Sequence, residues 1–129
     1  MQNQVTQALD DILKKVPGVI GVVLADMDGT PIYTNGRFDI APTRLCALSA
    51  VCQGCNLEIG KSLGQALSSI MAEFETIKIY HLRIGENGQL VILSKTKDAQ
   101  FGLLKIEASR AISAFSPLAQ EETPSESKE

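Results

Sequence analysis

Val19-Ile20-Gly21-Val22-Val23-Leu24-Ala25 is followed by Asp26-Met27-Asp28-Gly29-Thr30 and then by Pro31-Ile32-Tyr33-Thr34. The first seven of these residues carry no polar side chain, and four of them are Val or Ile. A β-branched run of that length reads as a strand buried on both faces. Asp28-Gly29 is a hairpin turn signal. Pro31 has no N–H to donate, so the strand it opens suits a sheet edge. A strand buried on both faces asks for helices on both sides of one sheet.

The flanking sequence supplies them. Upstream, Val5, Leu9, Ile12 and Val16 are spaced 4, 3, 4 and form one face of a first helix, which Pro17-Gly18 stops. Downstream, Asp39 is a candidate N-cap for a second helix running to Lys61, with Pro42 able to move its start by a residue or two. Residues 67–74 read as a third strand and 76–84 as a fourth. Gly85-Glu86-Asn87-Gly88 forms a turn in which Asn-Gly supplies positive φ angles. Residues 90–93, Leu-Val-Ile-Leu, are a fifth strand, again apolar on both faces, and 95–97 a loop. Asp98 can cap a last helix whose stripe is Phe101, Leu104, Ala108, Ala111 and Phe115, with Pro117 as its stop. The order is α-β-β-α-β-β-β-α, an α+β arrangement with hairpins and therefore antiparallel pairing.

Composition narrows the function. The 129 residues suit one domain, and 44% apolar against 21% charged residues is enough for a core. Lys plus Arg is 12 and Asp plus Glu is 15. Residues 119–129 hold four Glu and one Lys, so the acidic tail carries the whole net charge of −3 and residues 1–118 are neutral. A neutral body lacks the cationic excess of a nucleic-acid binder or a polybasic membrane anchor. Three cysteines cannot all pair within one chain, which argues against a disulfide framework and for a reducing, cytoplasmic setting. The N-terminal residues show no secretory signal pattern, and no run reaches the roughly 20 apolar residues of a membrane span. Residues 3–118 are expected to fold as one domain and 119–129 to be a disordered tail.

The second helix is the most informative element. Leu45, Leu48, Cys52, Cys55 and Ile59 are spaced 3, 4, 3, 4 and are expected to cover the sheet. The remaining sides should then be charged, yet residues 45–57 contain no charge. Ala47, Ala50, Val51 and Gly54 lie off the stripe and let another backbone approach. Residues 62–72 are equally uncharged, so a third strand at a sheet edge lacks the protection edges normally carry. A second copy, meeting strand to strand and helix to helix about a two-fold axis, explains both features. The expected interface comprises Ala47, Ala50, Val51, Gly54, Leu57, Leu67, Ser69 and Met71.

The stretch Val16-Pro17-Gly18-Val19-Ile20-Gly21-Val22-Val23-Leu24-Ala25-Asp26-Met27-Asp28-Gly29-Thr30-Pro31-Ile32 resembles the start of the Roadblock family, which includes roadblock dynein light chains, bacterial MglB and Ragulator subunits. The small-residue second helix, three further strands and Gln100-Phe101-Gly102-Leu103-Leu104-Lys105 extend the resemblance over residues 3–116. It implies a five-stranded antiparallel sheet in the order 2-1-5-4-3, with the second helix on one face and the first and last on the other. It also implies a homodimer, or a heterodimer with a paralogue, through the third strands and second helices. Family members have no reaction of their own: they bind and regulate small Ras-like GTPases or tether cargo to dynein. The substantial last helix resembles the MglB-like and Ragulator-like branch, which favours a GTPase-linked role over a nucleotide-blind adaptor.

No residue set calls for catalysis or a cofactor. Cys52 and Cys55 have the spacing of half a metal site or a redox pair, but they lie mid-helix on the apolar stripe and read as buried packing residues, with Cys46 well round from them. Gly60-Lys61-Ser62 resembles the end of a phosphate-binding loop, but Cys55 stands where the motif needs Gly and the triplet closes a helix. Gly60 or Gly64 reads as the helix C-terminal glycine. His81, alone in the fourth strand, reads as packing or surface. Asp26, Asp28 and Asp39 read as turn and cap residues. Arg44 and Lys61 flank the uncharged stretch and are candidate contacts for an acidic GTPase surface, or solvated ends. A small enzyme or a metal or ligand sensor is the remaining alternative, and it lacks a polar constellation.

Overall fold

The structure, a computed structural model, describes the backbone of residues 2–95 and 101–122 and the side chains of 4–95, 102–104 and 106–113. Its elements are α1 (Gln2–Lys15), β1 (Val19–Asp26), β2 (Pro31–Gly36), α2 (Pro42–Leu63), β3 (Ser69–Glu73), β4 (Ile77–Ile84), β5 (Gly88–Lys95) and α3 (Phe101–Glu122). The five strands form one antiparallel sheet in the order β2-β1-β5-β4-β3. β1 and β5 are central and buried on both faces, as their unbroken apolar runs require. Pro31 opens an edge strand, where its missing donor is harmless.

Side chains alternate across the pleat, so each central strand serves two cores. Val22, Leu24, Leu90 and Ile92 pack against Val5, Leu9, Ile12 and Val16 of the α1 segment and against Leu104, Ala108 and Ala111 of α3. Val23, Ala25, Val91 and Leu93 pack with Leu45 and Cys46 of α2 on the other face. Asp10 ties α1 to β2: its Oδ1 accepts from Tyr33 Oη and Asn35 Nδ2, both at 2.6 Å. The carboxylate at that distance, and then burial, raise the Tyr33 pKa above its ordinary value.

Several boundaries differ from the sequence expectation for local reasons. The N-cap of α2 is Ala41, not Asp39, and no side chain caps it. Pro42 presets the first helical φ and holds the residue before it extended, at φ −56° and ψ 131° for Ala41. Leu45 N then bonds Ala41 O at 2.9 Å. In the β4–β5 turn the positive φ belongs to Gly85 (61°), not to Asn87 or Gly88. Ile84 and Gly88 are a paired register position, so the chain reverses over the three residues between them and Gly85 begins the reversal. β3 is shorter than residues 67–74, because only 69–73 pair with β4. α3 passes Pro117 and ends at Glu122. A proline there removes one donor, while Leu118, Ala119, Gln120, Glu121 and Glu122 are good helix formers. Asp98 and residues 123–129 lie outside the described residues, as do the side chains of Phe101 and Phe115.

Candidate interaction surface

α2 does not lay its apolar stripe on the sheet. Its buried residues are Leu45, Cys46, Ser49 and Gln53, so half of the sheet-facing side is polar. This corrects the expectation for Leu48, Cys52, Cys55 and Ile59: Leu48 and Ile59 are exposed, Cys55 is exposed and Cys52 half-buried. Cys46, expected away from the core, is fully buried. Burial, with the Asp26 carboxylate second, pushes its thiol up to about 11. The helix is rotated so that Ser49 and Gln53 meet the polar partners that the sheet beneath it offers.

Those partners are Gln89 and His81, both buried on the α2 face. Gln89 Nε2 donates to Asp26 O at 2.9 Å and to Cys46 O at 3.2 Å. Two carbonyl partners fix which end of the amide is which, so Gln89 Oε1 is the acceptor. Ser49 Oγ donates its single proton to that oxygen at 2.7 Å, and Gln53 Nε2 donates to it at 3.0 Å. Ser49 Oγ also lies 2.7 Å from His81 Nδ1 and accepts from Gln53 Nε2 at 3.2 Å. With the hydroxyl proton already committed, Nδ1 of neutral His81 must carry the hydrogen and donate to Ser49. Burial lowers the His81 pKa and holds the ring neutral. Gln53 Oε1 is left buried without a partner. The sequence reading missed Ser49, Gln53 and Gln89. The available signal was Ser49 and Gln53 at i, i+4 on an otherwise apolar helix, which marks one side as polar.

With that side on the sheet, two other sides of α2 face away. Helical spacing puts Leu48, Cys52, Cys55 and Ile59 on one flank and Ala47, Ala50 and Gly54 on the other, with Val51 between them. Leu48, Val51, Ile59 and Leu63 are 52–66% exposed, and Ala47 and Gly54 are exposed. A Cβ at Gly54 would meet nothing within 4 Å. Ala50, Leu57 and Leu67 are half-buried. β3, the edge strand that follows this helix in the chain, has no strand paired with its outer side among the described residues. The register puts Met71 opposite Tyr80 and Ser69 opposite Leu82, so both share the α1/α3 face of the sheet. Ile70, opposite His81, shares the α2 face. Met71 is 48% exposed and Ser69 is exposed.

The other singled-out residues have structural roles or none. Asp26 Oδ1 accepts from Asp28 N at 3.0 Å and Thr30 N at 2.9 Å, which closes the β1–β2 turn. Asp28 and Asp39 are exposed. Gly64 ends α2 in the left-handed conformation, with Gly64 N on Lys61 O and Gln65 N on Gly60 O. That is a helix end, not a phosphate loop. Arg44 is exposed, and exposed Lys61 pairs with Glu58 at 3.0 Å. Among the described residues no three His, Cys, Asp or Glu side chains gather within one chain, and no helix is long and apolar enough to cross a membrane. An open depression on α3 is lined by Ile106, Ser109, Arg110 and Ser113 and holds no cluster of reactive groups.

Comparison with known proteins agrees with this architecture. A family model described as the Roadblock/LC7 domain matches residues 5–94. The gliding protein MglB from Thermus thermophilus is 21% identical, with 92% of this chain and 90% of that one covered and a TM-score of 0.80. MglB from Myxococcus xanthus is 19% identical over 91% and 95% of the two chains, with a TM-score of 0.82. A structure of MglB in a tetrameric arrangement is 22% identical over 92% and 90%, with a TM-score of 0.81. At these identities the likeness is one of fold. No curated protein matches in sequence.

Proposed function

Because the chain belongs to the Roadblock/LC7 family, we propose that it is a non-catalytic platform that pairs with a second copy, or a paralogue, and regulates a small Ras-like GTPase. The observation that carries this reading is the outward side of α2. Leu48, Val51, Ile59 and Leu63 are exposed there, and β3, the strand that follows α2, is an open edge of the sheet. Fully burying one such side chain is worth about 1.5–3 kcal/mol, so the protomer leaves a sizeable driving force unspent. A two-fold axis through the β3 edge would join two sheets into one and bring two α2 helices alongside each other. The MglB structure in a tetrameric arrangement supports self-association in this fold.

The mechanism asks for no reacting side chain. A platform regulates a GTPase by binding one nucleotide state more tightly than the other, since a ligand shifts only what it binds unequally. Arg44 and Lys61, exposed at either end of the uncharged part of α2, are the proposed contacts for an acidic GTPase surface.

Light scattering tests the first step. Wild type should be dimeric at low micromolar concentration, and Leu48→Glu and Met71→Lys, both surface changes in the protomer, should shift it to monomer. Small GTPases from the same cell, loaded with GDP or a non-hydrolysable GTP analogue, test the second. Binding that depends on the nucleotide is the expected result. Binding blind to the nucleotide would assign the protein to the adaptor class instead, and no binding to any of them would remove the GTPase role.

A further inference from the structure

Cys52 and Cys55 lost their packing role when α2 proved to be rotated: neither is on the sheet-facing side, and Cys55 is exposed. They sit with Leu48 and Ile59 on one flank, at spacing 4, 3, 4, which is the alternation of a two-helix seam. This pattern is symmetric about the point between Gln53 and Gly54, and that point lies about one residue from the middle of α2. An antiparallel two-fold pairing about it sets Leu48 against Ile59 of the second copy and Cys52 against Cys55 of the second copy, each twice. In that pairing four thiols would face one another at the centre of the seam, closed at both ends by an apolar pair.

We propose that the dimer of this chain holds one zinc ion on its two-fold axis, ligated by Cys52 and Cys55 of both copies. The inference rests on the dimer proposed above and adds a ligand to it. Cβ atoms at i, i+3 on a helix are about 5–6 Å apart. Two such pairs facing each other give four sulfurs room to close on a common point at the Zn–S distance of about 2.3 Å. Four thiolates with tetrahedral freedom select zinc over magnesium or calcium, which take oxygen ligands. On binding, four S–H bonds break, their protons pass to solvent, four Zn–S bonds form and no electron moves. Affinity therefore falls in acid. Cys46 is buried beneath the helix and takes no part. Because the site exists only in the dimer, zinc tightens association by mass action.

The test uses the full chain, purified with reductant, stripped with a chelator, loaded with Zn²⁺ or Co²⁺ alone and desalted. The expected result is one retained metal per two chains, with the visible bands of tetrahedral thiolate cobalt. Zinc should lower the dimer dissociation constant about tenfold or more, and Cys52→Ser/Cys55→Ser should dimerise without retaining metal. A dimer that retains no metal overturns the zinc site and leaves the dimer standing, as does a disulfide-linked, metal-free dimer on a non-reducing gel. A wild type that scatters as a monomer with or without metal overturns both. One metal per isolated chain overturns the shared site. Should the double variant misfold by circular dichroism, the stoichiometry and cobalt spectrum of wild type decide the matter alone.

Discussion

Gln89→Leu removes the centre of the polar layer under α2 with little change of volume. Gln89 is fully buried and makes four hydrogen bonds: from Ser49 Oγ at 2.7 Å, from Gln53 Nε2 at 3.0 Å, to Asp26 O at 2.9 Å and to Cys46 O at 3.2 Å. A neutral buried hydrogen bond contributes about 1 kcal/mol net, so the four amount to about 4 kcal/mol. Added apolar contact from leucine offsets about 1 kcal/mol of this. The expected loss is about 3 kcal/mol, a large share of the roughly 5–15 kcal/mol that holds a domain of this size. Urea unfolding at pH 7.5 and fixed protein concentration, followed by far-ultraviolet circular dichroism, measures it. Ser49→Ala should be less costly. The double variant should lose about 1 kcal/mol less than the two single losses added, because the Ser49–Gln89 bond is shared. A Gln89→Leu loss below about 1 kcal/mol, or strict additivity with Ser49→Ala, would refute the argument that this network seats α2.

Three further outcomes follow from the geometry. His81 is held neutral by burial, so below pH 6.5 the unfolded chain takes up a proton that the folded one refuses. Stability should be full above that pH and fall as pH drops towards the lowered folded value. The slope should reach at most about 1.4 kcal/mol per pH unit, and urea midpoints of wild type and His81→Gln across pH 5 to 8 would show it as the part that His81→Gln lacks. Gly29→Ala should cost about 2 kcal/mol or more, since φ is +91° and a Cβ would lie 2.8 Å from Ala47 Cα. Gly64→Ala, at φ +68° with open space, should cost about 1 kcal/mol, and the difference in thermal midpoints reports the close approach of the β1–β2 turn to α2. Asp10→Ala should bring the Tyr33 phenol back down towards its ordinary pKa, read by ultraviolet titration, because the carboxylate is the largest cause of its rise.

The platform reading depends on where α2 puts its charges and its grease. A helix that satisfies its sheet with Ser49 and Gln53 frees Leu48, Val51, Ile59 and Leu63 for another molecule. The polar layer is thus coupled to the proposed function. Gln53 and Ser49 bond the same oxygen of Gln89, so a rotation of α2 that hid its apolar flank would strand several buried polar atoms at once.

Much of this was legible in the sequence. The apolar runs 19–25 and 90–93 determined two central strands with a core on each face, and the 4, 3, 4 spacing of Val5, Leu9, Ile12 and Val16 determined the buried side of α1, because burial on a periodic element repeats with its geometry. The uncharged stretch of α2 pointed to the helix on which the proposal rests, whereas Ala47, Ala50 and Gly54 of the expected interface lie on the flank opposite the proposed seam. The rotation of α2 was decided only by the fold. Its apolar residues outnumber what one sheet can cover, so periodicity alone could not choose which side lies down. That choice came from Gln89 and His81, which are 32 to 43 positions away from the helical residues they bond. Hydrophobic pattern is a local property of the chain, whereas a buried hydrogen bond needs both of its partners, and only the folded sheet brings them together.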